Sequence, residues 1–216
     1  MSLCMSGFND QDERTLEKVL SLDTLPSFRE VQNVLKAWEG FTGKWHTFCL
    51  DNGVYLVPCR EFVTALAHEL HRFDGKTIVE ICAGSGKLSY HLQKEGIPIV
   101  ATDPYSSHST KPSPHVERID HHEALATYKP HVVVMAWAPD HGPVGAAILA
   151  YPSVHYVIDI GEGIGACTWL THELLGSNWG MRHLDRPERY VLGATDSYEY
   201  GLSRVRLLSR LKLSLP

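Results

Sequence analysis

The chain has 216 residues, 44% of them hydrophobic, and a formal net charge of −5 from 20 basic and 25 acidic residues. That is enough for one sizeable core and short for two full domains. No run of Lys or Arg has the length of a nucleic-acid or membrane patch, and no apolar run approaches the roughly 20 residues that span a bilayer.

Residues 1–9 read as frayed. Leu16, Val19 and Leu20 lie at helical spacing within 13–22. Ser27 followed by Glu30 fits a capping box, and Val31, Val34, Leu35 and Trp38 form one apolar stripe behind it. Residues 41–58 carry turn signals at Gly43, Asn52-Gly53 and Pro58. A third helix is predicted over 61–73, closed by Asp74-Gly75. From Lys76 onward the period changes. Short apolar strands are predicted at 77–82, 97–102, 116–119, 131–136 and 154–160. Helices are predicted at 86–95, 122–128, 143–150 and 168–175. This alternation implies a parallel sheet with crossover helices. Two further strands, 189–193 and 203–209, suggest an antiparallel ending. The expected fold is therefore α/β, with a Rossmann-like, mostly parallel seven-stranded sheet. A helical extension or lid precedes it over 1–74, and the sheet domain covers 75–216.

The five cysteines, Cys4, Cys49, Cys59, Cys82 and Cys167, are odd in number and include no Cys-x-x-Cys. This pattern implies reduced thiols in a cytoplasmic protein. The N-terminus shows no basic segment followed by an apolar one, so no signal peptide is expected. The 13 histidines do not predict a metal site. His121-His122-Glu123 are adjacent and do not face one ligand, and His68 and His71 lack a nearby third ligand.

The richest stretch is Thr77 to Ser89. A buried strand ends in Glu80-Ile81-Cys82-Ala83-Gly84-Ser85-Gly86 and opens a helix. Small residues at 83–86 let the backbone pass close to a ligand, and the helix start offers free N–H groups. Asp103 ends the next strand, where an acid accepts hydrogen bonds from ribose hydroxyls. An adenosine-containing cofactor is expected. Gly84-Ser85-Gly86-Lys87-Leu88-Ser89 nearly matches the dinucleotide fingerprint, with Ser89 at the third glycine. Glu80, Asp120 and the antiparallel ending point elsewhere.

Together, Glu80 to Gly86, Asp103 and Asp120 resemble the class I methyltransferases that use S-adenosylmethionine. The resemblance covers roughly residues 55–210. The family's first turn is an acid followed by G-x-G-x-G, and Cys82 stands here at the first glycine. The resemblance implies S-adenosylmethionine as cofactor. It puts Glu80 near the methionine end, with Cys82, Ala83, Gly84 and Gly86 along the cofactor. Asp103 would hold the ribose, and Asp120 with His121 the adenine. Asp120 also reads as a simple helix cap. The loop after the fourth strand, Ala136-Trp137-Ala138-Pro139-Asp140-His141, lacks the Asn- or Asp-Pro-Pro-aromatic signature of amino-methylating members acting on nucleic acid. The acceptor implied is therefore a small molecule or a protein. Trp137 reads as a wall of the cofactor or substrate pocket, or as core. Asp140 reads as a general base or as a solvated loop residue. Glu162, among Gly161, Gly163 and Gly165, is the best candidate for a substrate contact and a second catalytic candidate. Tyr55 is a further substrate candidate. Two alternatives are a methyltransferase-like binding protein without activity and an NAD-dependent oxidoreductase.

Overall fold

The computed structural model describes residues 10–38, 43–105, 113–138, 144–162 and 178–211. Four helices come first: α1 (Asp10–Leu20), α2 (Phe28–Ala37), α3 (Lys44–Asp51) and α4 (Arg60–Leu70), with a 3-10 turn at His71–Phe73. There follow β1 (Ile78–Ile81), α5 (Lys87–Lys94), β2 (Ile99–Thr102), α6 (His121–Tyr128), β3 (Val132–Ala136), α7 (Val144–Ala150), β4 (Tyr156–Glu162), β5 (Trp179–His183), α8 (Asp185–Glu188) and β6 (Ser203–Arg210). The helix expected at 168–175 lies outside the described residues.

The strands form one mixed sheet of order β2-β1-β3-β4-β6-β5. β1, β2, β3 and β4 are parallel, and β6 runs antiparallel between β4 and β5. β1 is buried along its whole length, so its apolar residues need not alternate. One face packs Leu66 and Leu70 of α4 and Leu88 and Leu92 of α5 against Ile78, Val132, Val134 and Ile158. The other packs Leu125, Ile148 and Leu149 of α6 and α7 against Val79, Val133 and Val157. A third cluster joins α1, α2 and α3 to Val57, Leu192 and Ala194.

The capping box at Ser27 forms as the sequence predicts. The Ser27 hydroxyl accepts from the Glu30 N–H, and Glu30 accepts from the Ser27 N–H. Burial pushes the Glu30 carboxyl up, but the Lys18 ammonium at 2.6 Å and the Ser27 donors outweigh it and hold it at about 2.

Three expectations need correction. The sheet has six strands among the described residues, not seven. Residues 116–119 make a single bridge, Thr102↔Glu117, instead of a strand. Only Val116 of that stretch is buried, so there is too little apolar surface to extend the edge beyond β2. Residues 189–193 are not a strand either. Asp185–Glu188 is helical, and the following turn carries Val191 and Leu192 into contact with the helical layers. Their apolar character comes from that burial. The edge strand is instead Trp179–His183, largely exposed and interrupted by Gly180, which carries little β signal. α3 forms within 41–58, between the turn signals at Gly43 and Asn52-Gly53, and buries Trp45, Phe48 and Cys49.

Candidate functional site

β1 continues through α5 to β2 on one side, and the chain then returns to place β3 on the other side of β1. Ligands in open α/β sheets bind at such a switch point, outside the carboxyl ends of the strands. Glu80, Cys82, Asp103 and Trp137 lie at or just past the ends of β1, β2 and β3, and Glu162 ends β4.

The backbone at this edge is unusual. Cys82 (φ 60°), Tyr105 (φ 49°) and Trp137 (φ 51°) are left-handed without being glycine, and each lies within three residues of the end of β1, β2 or β3. Non-glycine residues pay about 1–2 kcal/mol there, and such strain collects at functional sites. Cys82 therefore holds a glycine conformation at the position where the sequence pattern calls for glycine. Cys82→Gly should relieve that cost at the expense of backbone entropy, for a net gain of about 0.5–1 kcal/mol. Cys82→Val, β-branched at a positive φ, should fall below the parent. Denaturant unfolding of the two variants checks this, and a destabilised glycine variant would contradict it.

Gly86 closes the turn at φ 72° and precedes α5. A Cβ there would lie 2.3 Å from Val116 Cγ2, so the segment after β2 seals the turn against any side chain. Gly84 is also left-handed (φ 55°), and Ala83 is half-buried.

Two carboxylates meet beneath this turn. Glu80 is fully enclosed and accepts a short hydrogen bond from the Ser89 hydroxyl of α5. Burial pushes its carboxyl up, the Ser89 donors offset part of that, and nearby Asp103 raises it further, to about 7. Asp103 accepts from the Gly84 N–H at 2.9 Å and the Tyr105 N–H at 2.7 Å, which fixes it against the turn. The Cys82 thiol is pushed up to about 12 by burial and by both acids, so it stays protonated and unreactive.

Asp120 caps α6, accepting from the Glu123 N–H at 2.9 Å, and this bond holds its carboxyl below the usual range. His121 begins α6 with its ring tilted 37° against His122, the centroids 4.1 Å apart. Its Nε2 is buried and has no partner among the described residues. Burial and His122 hold the ring below its ordinary pKa, so it stays neutral at neutral pH.

Trp137 is 8% exposed and belongs to the core on the α4 face. Its ring packs so closely on Gly193 that a Cβ there would meet it at 2.2 Å. Glu162, the last residue of β4, is buried and lies opposite Ser203 at the start of β6. Tyr55 is 40% exposed, and its carbonyl accepts from the Ala194 N–H at 2.9 Å. Asp140 lies outside the described residues. The structure thus brings Glu80, Cys82, Gly84, Gly86 and Asp103 together at one turn. Trp137, Tyr55 and Glu162 follow the edge towards the loop that begins at Gly193.

The sequence reading missed Lys87. It is buried, and its ammonium donates to the carbonyls of Lys18 (2.5 Å) and Val19 (2.9 Å) at the end of α1. His91 Nε2 meets the Leu22 carbonyl at 2.9 Å, and the Tyr90 hydroxyl donates to Asp23 at 2.8 Å. The helix that starts at the turn therefore fastens the N-terminal helix. Burial lowers the Lys87 ammonium to about 8. The only sequence signal was a lysine directly after Gly86, and its partner is 69 residues away.

Among the described residues, no three His, Cys, Asp or Glu side chains are placed to hold a metal ion, and no helix is long and apolar enough to cross a membrane. No protein-family model matches the chain, and no curated protein matches it. Among solved structures it is similar to magnesium protoporphyrin IX methyltransferase from Synechocystis PCC 6803, determined with bound S-adenosylmethionine. The identity is 13% over 96% of this chain and 100% of that one, with a TM-score of 0.46. A likeness so distant carries no argument about this site.

Proposed function

We propose that the chain is an S-adenosylmethionine-dependent methyltransferase acting on a small-molecule or protein acceptor. One observation carries the reading: Glu80 and Asp103 converge beneath the glycine turn, and neither has a Lys or Arg partner among the described residues. In a dinucleotide site the pyrophosphate sits at this turn. A dianion there would face the buried Glu80 carboxyl, which a dinucleotide site does not need, whereas an acid at Asp103 serves a ribose in either fold. A ligand bearing a sulfonium and an ammonium would supply the missing positive charge. The antiparallel β6 also sets the sheet apart from the all-parallel dinucleotide fold.

The residues present fit the cofactor. Asp103 would accept from the ribose hydroxyls, and Glu80 would favour the methionine end. His121 offers a neutral, unpartnered Nε2 beside Asp120 for the adenine edge. S-adenosylmethionine supplies a methyl group on a sulfonium sulfur, open to attack by a nucleophile. The protein's part is to align the acceptor and exclude water, and this needs no dedicated acid. Glu162 and Asp140 are proposed as acceptor-side groups, and Tyr55 as part of the acceptor wall. The second reading is a cofactor-binding protein without transfer activity, supported by the absence of the Asn- or Asp-Pro-Pro-aromatic signature at Ala136-Trp137-Ala138-Pro139; it would bind cofactor and methylate nothing.

Calorimetric titration with S-adenosylhomocysteine, with NAD in parallel, tests the proposal. Binding of S-adenosylhomocysteine alone supports it, and binding of NAD alone overturns it. Asp103→Ala should weaken S-adenosylhomocysteine by about 1–3 kcal/mol through loss of a charged acceptor. Unchanged affinity in that variant would refute the ribose role.

A further inference from the structure

The sheet has a second concave surface, at the end opposite the turn. Lys76 precedes β1, His131 precedes β3 and Tyr156 begins β4. With Arg72, Phe73 and Asp74 from the segment after α4, they line a cleft of about 260 Å³. β1 alone separates this cleft from Cys82, a span of roughly 15 Å at about 3.3 Å per residue. The volume lies just below the usual range of ligand sites, about 300 Å³ upward, so the cleft suits only a compact ligand.

Two cationic side chains, Lys76 and Arg72, line it against one carboxylate, Asp74. His131 stacks on His155 with centroids 4.5 Å apart and rings 22° from parallel. The His155 Nδ1 is held by the Ser153 carbonyl at 2.8 Å, so that nitrogen carries the proton. Lys76 makes no ion pair among the described residues. Arg72 touches Glu69 at 3.1 Å but is 59% exposed. The one lining carboxylate, Asp74, is turned to His71 at 3.3 Å. Burial, then His155, then Lys76 hold His131 below its ordinary range. The floor is aromatic: Phe73 and Tyr156 lie 4.8 Å apart, and the His131 ring lies 5.5 Å from Tyr156.

We propose that this cleft binds a compact phosphomonoester, with Lys76 and Arg72 on the phosphate, His131 as a ring N–H donor, and the Phe73–Tyr156 pair against the organic body. Phosphate matches the donor set. Arg offers a planar fork, Lys a point charge and His a third donor, and a dianion satisfies all three. Charge-assisted bonds of this kind also exceed neutral ones in strength. The site is independent of the cofactor reading, because it shares no residue with the turn at 82–86.

The test is a pH titration of the histidine resonances of the full chain by NMR, with and without phenyl phosphate. His131→Gln assigns the signal, and inorganic phosphate is a second arm. Phenyl phosphate should shift the His131 resonances saturably and raise its titration midpoint, because a bound dianion favours the imidazolium. Lys76→Ala, an exposed substitution, should weaken binding about tenfold or more, the equivalent of about 1.4 kcal/mol. No shift of His131, or equal affinity in Lys76→Ala, would overturn the site. Equal affinity for inorganic phosphate and phenyl phosphate would overturn the role given to the aromatic floor.

Discussion

Glu80→Gln is expected to be more stable than the parent at pH 8 and to bind S-adenosylmethionine more weakly. The parent keeps a carboxylate in a fully buried position, where desolvation and Asp103 raise it to about 7 from the usual 4.5. At about 1.4 kcal/mol for each tenfold change in proton affinity, an ionised Glu80 costs the folded state about 3 kcal/mol at pH 8. Glutamine keeps an oxygen for the Ser89 hydroxyl and carries no charge. The gain is about 3 kcal/mol less the cost of burying the new amide N–H groups. A group held at such a cost is a marker of function. Urea unfolding of both proteins at pH 8 reads the stability, and calorimetry reads the binding. A variant both less stable and unaltered in affinity would remove the argument from charge at the turn.

The pH dependence follows from the same shift. Glu80 is raised in the folded state, so the folded chain takes up its proton at higher pH than the unfolded chain does. Its contribution to stability is therefore most favourable below about 4.5, declines as pH rises to about 7 and is constant above that. Glu80→Gln should flatten this part of the profile. Cofactor affinity should run the other way. A cationic ligand needs the ionised carboxylate, so affinity should fall as pH drops through about 7, and binding near that pH should release a proton. Calorimetry in buffers of different ionisation enthalpy measures that release.

The turn was legible in the sequence because its chemistry is local. Glu80, Gly84 and Gly86 occupy seven consecutive residues, and their spacing alone sets a strand end, a left-handed turn and a helix start. Asp103 was legible for a similar reason, since one crossover helix fixes its distance from the turn. The left-handed conformation of Cys82 was foreshadowed by the glycine that the resemblance puts at its place. What the sequence hid depends on distant partners. Val191 and Leu192 have the composition of a strand, but they are apolar because the helical layers cover them. Trp179–His183 is a strand because β6 lends it a ladder, although three of its five residues are exposed. Lys87 reads as a solvated residue until α1 is seen to end on its ammonium. The cleft at the other end of the sheet joins residues from before β1, β3 and β4, and no sequence window contains them together.

Arg206→Met is expected to cost about 3–5 kcal/mol, the usual loss when one partner of a buried ion pair is removed. Arg206 on β6 and Asp159 on β4 are directly opposed in the antiparallel register, each about 1% exposed. The guanidinium donates to Asp159 at 3.0 Å and to the Glu162 carbonyl at 2.9 Å. Burial raises the Asp159 carboxyl to about 6, although Arg206 pulls it down. Removing Arg206 leaves only the burial, so Asp159 must either protonate or stay charged and unpaired. The loss should therefore be largest at alkaline pH and shrink on acidification, as protonation removes the stranded charge. Asp159→Leu with Arg206→Met should recover most of the stability, because replacing both members of a buried pair by apolar side chains is often neutral or better. Unfolding of the single and double variants across pH checks this, and a double variant no better than the single would contradict it. The pair also ties the last residue of β4 to β6 at the edge where Glu162 is placed. If the double variant refolds to parental stability yet loses the methyl transfer proposed above, the Arg206 contact to the Glu162 carbonyl serves to position that strand end.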